Sequence, residues 1–157
     1  MLLSIKKYIK ELMSEKFRAF IIHSKNEMQN SIFVKETATK LDGKYLDLHD
    51  LFANDSKLSD SLDYFNPTML VELLKKESKG SNLVFIDHIS FLWDAWSDRD
   101  KQYFLLMVEM QWNSFYDDMK ATLVFNLPTD YTLTNTTIVD TRGKSRIKEM
   151  NEFSAII

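Results

Sequence analysis

Asp87 closes the apolar run Leu83-Val84-Phe85-Ile86 and is followed by His88. A run without polar alternation predicts a strand covered on both faces. A carboxylate at its carboxyl end lies where open α/β sheets place their ligand crevice, and there it can help hold Mg²⁺ on a nucleotide phosphate. That chemistry needs a phosphate cradle of the form G-x-x-x-x-G-K-[ST]. Its glycines let backbone N–H groups converge, its lysine offsets charge and its hydroxyl binds the metal. Residues Ser24, Lys25, Asn26, Glu27, Met28, Gln29, Asn30 and Ser31 have the spacing of that cradle, after one apolar stretch and before a helical pattern. Both glycines are replaced, by Ser24 and Gln29, and the lysine by Asn30; Ser31 alone matches. Gln29 puts a side chain where backbone must approach phosphate. Glu27 adds negative charge, and Lys25 is the cation left within the loop to substitute. A helix N-terminus here still offers N–H groups to an anion.

Asn126, at the end of another apolar run, stands where a polar side chain would read a terminal phosphate. The candidate nucleotide site is therefore Ser24, Lys25, Asn30, Ser31, Asp87 and Asn126, with Asp87 as the candidate Mg²⁺ ligand. Arg142, Lys144 and Arg146 form a basic turn suited to phosphate or nucleic-acid contact. Phe91, Trp93, Trp96, Trp112 and Tyr116 supply large aromatic area, and such residues are favoured as interface anchors. No catalytic residue stands out. No cofactor is expected, Mg-ATP being the alternative.

Positioning these residues requires strands alternating with helices. Apolar spacing predicts an amphipathic helix over 3–16, a strand at Phe17–Ile22, and a helix at Ser31–Leu41 with Gly43 in the left-handed position after it. A strand at Tyr45–His49, an irregular stretch over 50–66 and a helix from Pro67 to near Gly80 follow. After the Asp87 strand come an aromatic loop at Phe91–Trp96, a long helix over 99–119, and a strand at Ala121–Leu127 stopped by Pro128. The tail reads as a polar strand at Thr134–Val139, the basic turn, and a last strand at Phe153–Ile157. This alternation predicts an α/β three-layer sandwich with a mostly parallel central sheet. One domain spans 1–157, with 1–16 an N-terminal helix and 128–157 a C-terminal strand and turn extension.

Composition narrows the classes. Hydrophobic residues make up 45% and charged residues 27% of the 157, as in a folded domain rather than a disordered one. With no cysteine, disulfides and thiolate metal sites are excluded. The three histidines lie far apart in the sequence. The net charge of −3 is not that of an autonomous nucleic-acid-binding domain. It is spread unevenly, with the basic excess near the start and the acidic excess over 49–130. Neither a signal peptide nor a membrane span is legible, so a cytoplasmic protein without membrane contact is expected.

With Phe17–His23, residues 24–31, Tyr45–His49, Leu83–Asp87 and Ala121–Asn126 in this order, the chain resembles the RecA/AAA-type P-loop NTPase superfamily. More narrowly it is similar to the small P-loop proteins of BREX-type phage-defence clusters, on the stretch from Leu83 to Trp93 and on Tyr45–Leu48. The resemblance implies a P-loop NTPase-like fold and a bacterial accessory subunit beside a larger ATPase or another defence component. The losses at 24–31 turn that expectation toward a non-catalytic subunit retained for its surfaces. Homo-oligomerisation is compatible with it, and nucleic acid is met only indirectly. The alternatives are a Mg-nucleotide-binding ATPase or switch with an atypical phosphate loop, and a nucleic-acid-binding adaptor. A further alternative is similar to TIR domains, on Phe20–Ser24 and on Ser81–Val84 leading to Phe91–Trp96. Those domains carry a catalytic glutamate just after the tryptophan, where this chain has Ser97-Asp98-Arg99-Asp100.

Overall fold

The structure is a computed structural model that describes residues 2–112 and 120–154. Its elements in chain order are α1 (Ile5–Met13), β1 (Ala19–Ser24), α2 (Glu27–Lys40), β2 (Lys44–Asp47), α3 (Leu48–Ala53), α4 (Ser56–Asp60) and α5 (Pro67–Glu77). There follow β3 (Leu83–Asp87), α6 (Ser90–Ala95), α7 (Asp98–Met110), β4 (Thr122–Pro128), α8 (Tyr131–Thr134) and β5 (Ile147–Glu149). The five strands pair in the order β2-β3-β4-β1-β5, and every pairing is parallel.

Alternation along each strand divides the sheet into two faces. Ile21, Val84, Ile86, Leu123 and Phe125 point into one core, packed beneath α5, α6 and α7 through Leu70, Leu74, Trp93, Phe104 and Val108. Phe20, Ile22, Leu83, Phe85 and Val124 point into the other, covered by α1 through Ile5, Ile9 and Leu12 and by α2 through Val34 and Ala38. The result is a three-layer α/β sandwich. The interior strands β3 and β4 are buried almost end to end, as continuous apolar runs require. Each fully buried phenylalanine of these cores contributes roughly 1.5–3 kcal/mol.

Several elements differ from what spacing predicts, each for a local reason. Helix α2 starts at Glu27, because the Asn26 side chain accepts from Gln29 N at 3.0 Å and caps the helix there. The expected eight-residue phosphate loop thus shrinks to the link Lys25-Asn26. Residues 50–66 are ordered as α3, α4 and a 3-10 turn at Leu62–Tyr64, with Asp47 and Asp55 as caps. The expected aromatic loop is helix α6, and of the helix expected over 99–119, α7 covers Asp98–Met110 while 113–119 lie outside the described residues. The left-handed residue after α2 is Asp42 (φ 55°), not Gly43. Gly43 instead allows close approach, since a Cβ there would lie 3.1 Å from the Phe85 ring and 3.2 Å from Leu83, tighter than an ordinary contact.

The tail also rearranges. No strand forms over 134–139, where Val139 makes only an isolated bridge with Ser145. Among the described residues the last strand is β5; of the stretch 153–157, Phe153 bridges Leu3 and 155–157 lie outside the described residues. The outer edge of β5 is closed by its own neighbours. The Ser145 hydroxyl accepts from Ile147 N (3.1 Å) and donates to Ile147 O (2.7 Å), and Glu152 Oε2 accepts from Glu149 N (2.7 Å). An edge so occupied resists pairing with another chain. Among the described residues no helix is long and apolar enough to cross a membrane.

Candidate functional site

Period-two alternation puts Asp87 on the same sheet face as Leu83 and Phe85, the face that α2 covers. Ile86 pairs with Phe125, so the next residues along, Asp87 at the end of β3 and Asn126 within β4, lie side by side. On the other side of β3, Tyr45 lies two residues before Asp47, the partner of Asp87 in the register. These placements bring four side chains into one chain of hydrogen bonds. Asp87 Oδ1 accepts from its neighbour's backbone, His88 N (2.8 Å), and from Asn126 Nδ2 (2.7 Å). Asp87 Oδ2 accepts from the Tyr45 hydroxyl. Asn126 Oδ1 in turn accepts from Asn30 Nδ2, on the first turn of α2.

The direction of this relay follows from its origin. An ionised carboxylate only accepts, so Asn126 must turn its amide N–H₂ toward Asp87 and its carbonyl toward Asn30. Asn30 must then donate, which leaves Asn30 Oδ1 buried and without a hydrogen-bond partner. Asp87, Asn126 and Asn30 are all buried, at 2%, 6% and 1% exposure. Burial, and after it the bond to Asp87, pushes the Tyr45 phenol above its ordinary pKa and keeps it a donor.

Around the relay runs a crevice lined by Glu27, Asn30, Ser31, Asp87, Ser90, Asn126 and Pro128, with about 20 Å³ of room, enough for one water-sized group. His88 stands at its rim in a left-handed conformation (φ 56°), which is strained for a residue with a side chain. Its Nε2 lies 3.7 Å from Asp87 Oδ2 and 3.8 Å from Asp47 Oδ2. Nearby, at the end of β1, His23 Nδ1 and Thr129 Oγ1 are 2.7 Å apart. Burial holds that imidazole below its ordinary pKa.

The structure therefore brings together Asn30, Ser31, Asp87 and Asn126 and leaves the other candidates apart. Lys25 is exposed on the two-residue link and does not line the crevice. Ser24 Oγ accepts from Asn26 N at 3.1 Å and serves the turn. A Mg²⁺–triphosphate does not fit this arrangement. The room is that of one water, neither lysine nor arginine lines it, and three of the acceptor positions of Asp87 are taken by protein donors. Among the described residues no group of three or more His, Asp or Glu side chains is arranged to hold a metal ion.

Within the basic turn and the aromatics, Arg146 and the three tryptophans are corrected. Arg146 is 2% exposed and donates to the main-chain carbonyls of Val139, Ala19, Val108 and Glu109, so it cannot contact an outside phosphate. These partners include the start of β1, at the end of the sheet opposite the crevice. Arg142 and Lys144 remain exposed and pair with Glu11, Glu15 and Asp140. Trp93, Trp96 and Trp112 are buried core, packed on Phe104 and Phe125, and cannot anchor a partner. Phe91 is half-buried against Phe52, and Tyr116 lies outside the described residues.

Tyr45 and His88 join the site without having been candidates, and Glu27, weighed before only as a charge against phosphate, lines it. Tyr45 carried a usable signal, since it sits two residues before a strand end and so shares the face of a neighbouring strand-end carboxylate. No protein-family model matches the chain, and no curated protein sequence matches it.

Proposed function

We propose that this chain is a non-catalytic, P-loop-like accessory subunit that binds a larger protein, in keeping with its resemblance to the small P-loop proteins of phage-defence complexes. The observation that carries the reading is the relay itself. The strand-end aspartate and the residue in the lysine position are present, but they bond to each other through Asn126 rather than standing open to a phosphate. The cap at Asn26 supports it too, because its side chain already occupies an N–H at the start of α2. A surface for a partner is available elsewhere. Tyr103, Leu106 and Met110 recur at i, i+3 and i+7 on α7 and are 48%, 49% and 57% exposed.

One observation favours the nucleotide-switch alternative, namely that Ser31 and Asp87 line the same crevice. Calorimetry with Mg-ATP separates the two. The accessory reading expects no saturable heat, and micromolar binding that disappears in Asp87→Ala would overturn it. Affinity purification of the full chain followed by mass spectrometry then identifies the partner.

A further inference from the structure

The unpaired Asn30 Oδ1 is the one feature of the crevice that its own fold does not account for. A buried acceptor without a donor costs about 1–3 kcal/mol. The relay fixes it in place, because reversing the Asn30 amide would set two carbonyl oxygens against each other unless Asn126 and then Asp87 changed as well. The relay thus carries the acceptor character of a buried carboxylate to a second buried point, Asn30 Oδ1, at the start of α2.

The side chains around that point are mostly able to accept, with His88 as the one ring nitrogen pair at the rim. Glu27 is exposed at the first turn of α2, Ser31 and Ser90 add hydroxyls, and neither lysine nor arginine lines the space. We infer that the crevice receives a primary ammonium group, supplied by a lysine side chain of the protein to which this chain binds. The proposal rests on the accessory-subunit reading and adds the chemistry of the contact.

Size and charge choose this occupant over others. An ammonium head is about as large as a water and brings three donors, which suits the roughly 20 Å³ of room. A guanidinium is a wide planar fork and exceeds it. A phosphate is repelled by Glu27 and Asp87. Mg²⁺ demands six oxygens in near-octahedral order and gives up its waters reluctantly. Pro128, half-buried at the mouth, gives the methylene stem of a lysine something to lie against while its head enters.

The test uses the full-length ¹⁵N-labelled chain and follows the side-chain amide signals of Asn30 and Asn126. The probes are methylammonium, Nα-acetyl-lysine methylamide, tetramethylammonium and Mg²⁺ as chloride salts at equal ionic strength. The expected result is a saturable shift with the first two, tighter for the lysine derivative, and none with the last two. Asn30→Leu should abolish the shift at Asn126. Glu27→Gln, on an exposed helix position where folding is not at stake, should weaken it about two- to five-fold, the worth of an exposed ion pair.

A response to tetramethylammonium would show unspecific charge attraction, a response to Mg²⁺ would show a metal site, and no response at all would show an acceptor satisfied by water. Each overturns the proposal. Tighter binding of methylammonium than of the lysine derivative would assign the crevice to a free amine and overturn the lysine source. The accessory reading fails by a different result, Mg-ATP binding, so the two failures are distinguishable.

Discussion

Two buried charges sit at opposite ends of the sheet and are satisfied in different ways. At the amino end, Arg146 donates from Nε to Val139 O (3.1 Å), from one terminal nitrogen to Ala19 O (2.9 Å) and Val108 O (3.0 Å), and from the other to Glu109 O (2.8 Å). Every partner is main chain, and together they tie the last turn of α7, the start of β1 and the segment before β5. At the carboxyl end, Asp87 is met by one backbone N–H and two side chains, and the bonds that leave it end in an unpaired oxygen. A buried charge closed off by carbonyls is a structural fastening. A buried charge whose network runs out at an orphan acceptor leaves one group that the fold itself does not satisfy.

The sharpest way to break this contrast is to remove the fastening. Arg146→Met keeps much of the apolar volume but strands four carbonyls, two of them at the C-terminal end of α7. We expect a loss of about 3 kcal/mol or more, read as a lower urea midpoint at unchanged slope. Arg146→Lys should recover less than half, because a single ammonium cannot span four acceptors laid out for a guanidinium fork. A loss below about 1 kcal/mol for the methionine variant would show that Arg146 fastens nothing, and the comparison would collapse.

The carboxyl end is expected to respond less in stability and more in chemistry. Asp87→Asn retains shape but replaces one acceptor oxygen by a donor that faces Tyr45, Asn126 or His88 N. The cost should be about 2 kcal/mol, the range of a hydrogen bond to a charged group lost in a buried place. Near-neutral stability would show that the relay is not held by an ionised carboxylate, and its direction would have to be redrawn.

How much of this was legible before the structure depends on how local each feature is. The β3 and β4 strands, and with them Asp87 and Asn126, stand out because a strand covered on both faces is a contiguous apolar run. The start of α2 was obscured. The eight-residue spacing from Ser24 to Ser31 drew the boundary to Ser31, while the local cap between Asn26 and Gln29 sets it at Glu27. The meeting of Asn30 with Asn126 depends on β4 lying beside β1, a pairing of residues 96 positions apart that no window of sequence contains. The fate of the tryptophans was ambiguous in kind, since a large ring serves a core and an interface equally. Arg146 was unreadable as a structural residue, because its four partners come from three separated segments.

The smallest effect concerns another buried polar residue at the carboxyl end, His23, and it carries a pH dependence. Burial lowers its pKa in the fold, while the carboxylates of Glu149, Glu152 and Asp130 act in the opposite direction and limit the shift. As pH falls through the ordinary imidazole value of 6.5, the unfolded chain takes up a proton that the folded chain resists. Protons bound by the unfolded state then exceed those bound by the native state, so stability falls with decreasing pH in that window and is flat above it. Thermal midpoints measured from about pH 7 down to about pH 5 should decline in the native sequence and decline less in His23→Gln, whose amide can still bond to Thr129 Oγ1. If both proteins lose stability in parallel, the acid sensitivity belongs to other groups. His23 would then be closed off like Arg146, and the relay from Asp87 would be the one unfinished network at that end of the sheet among the described residues.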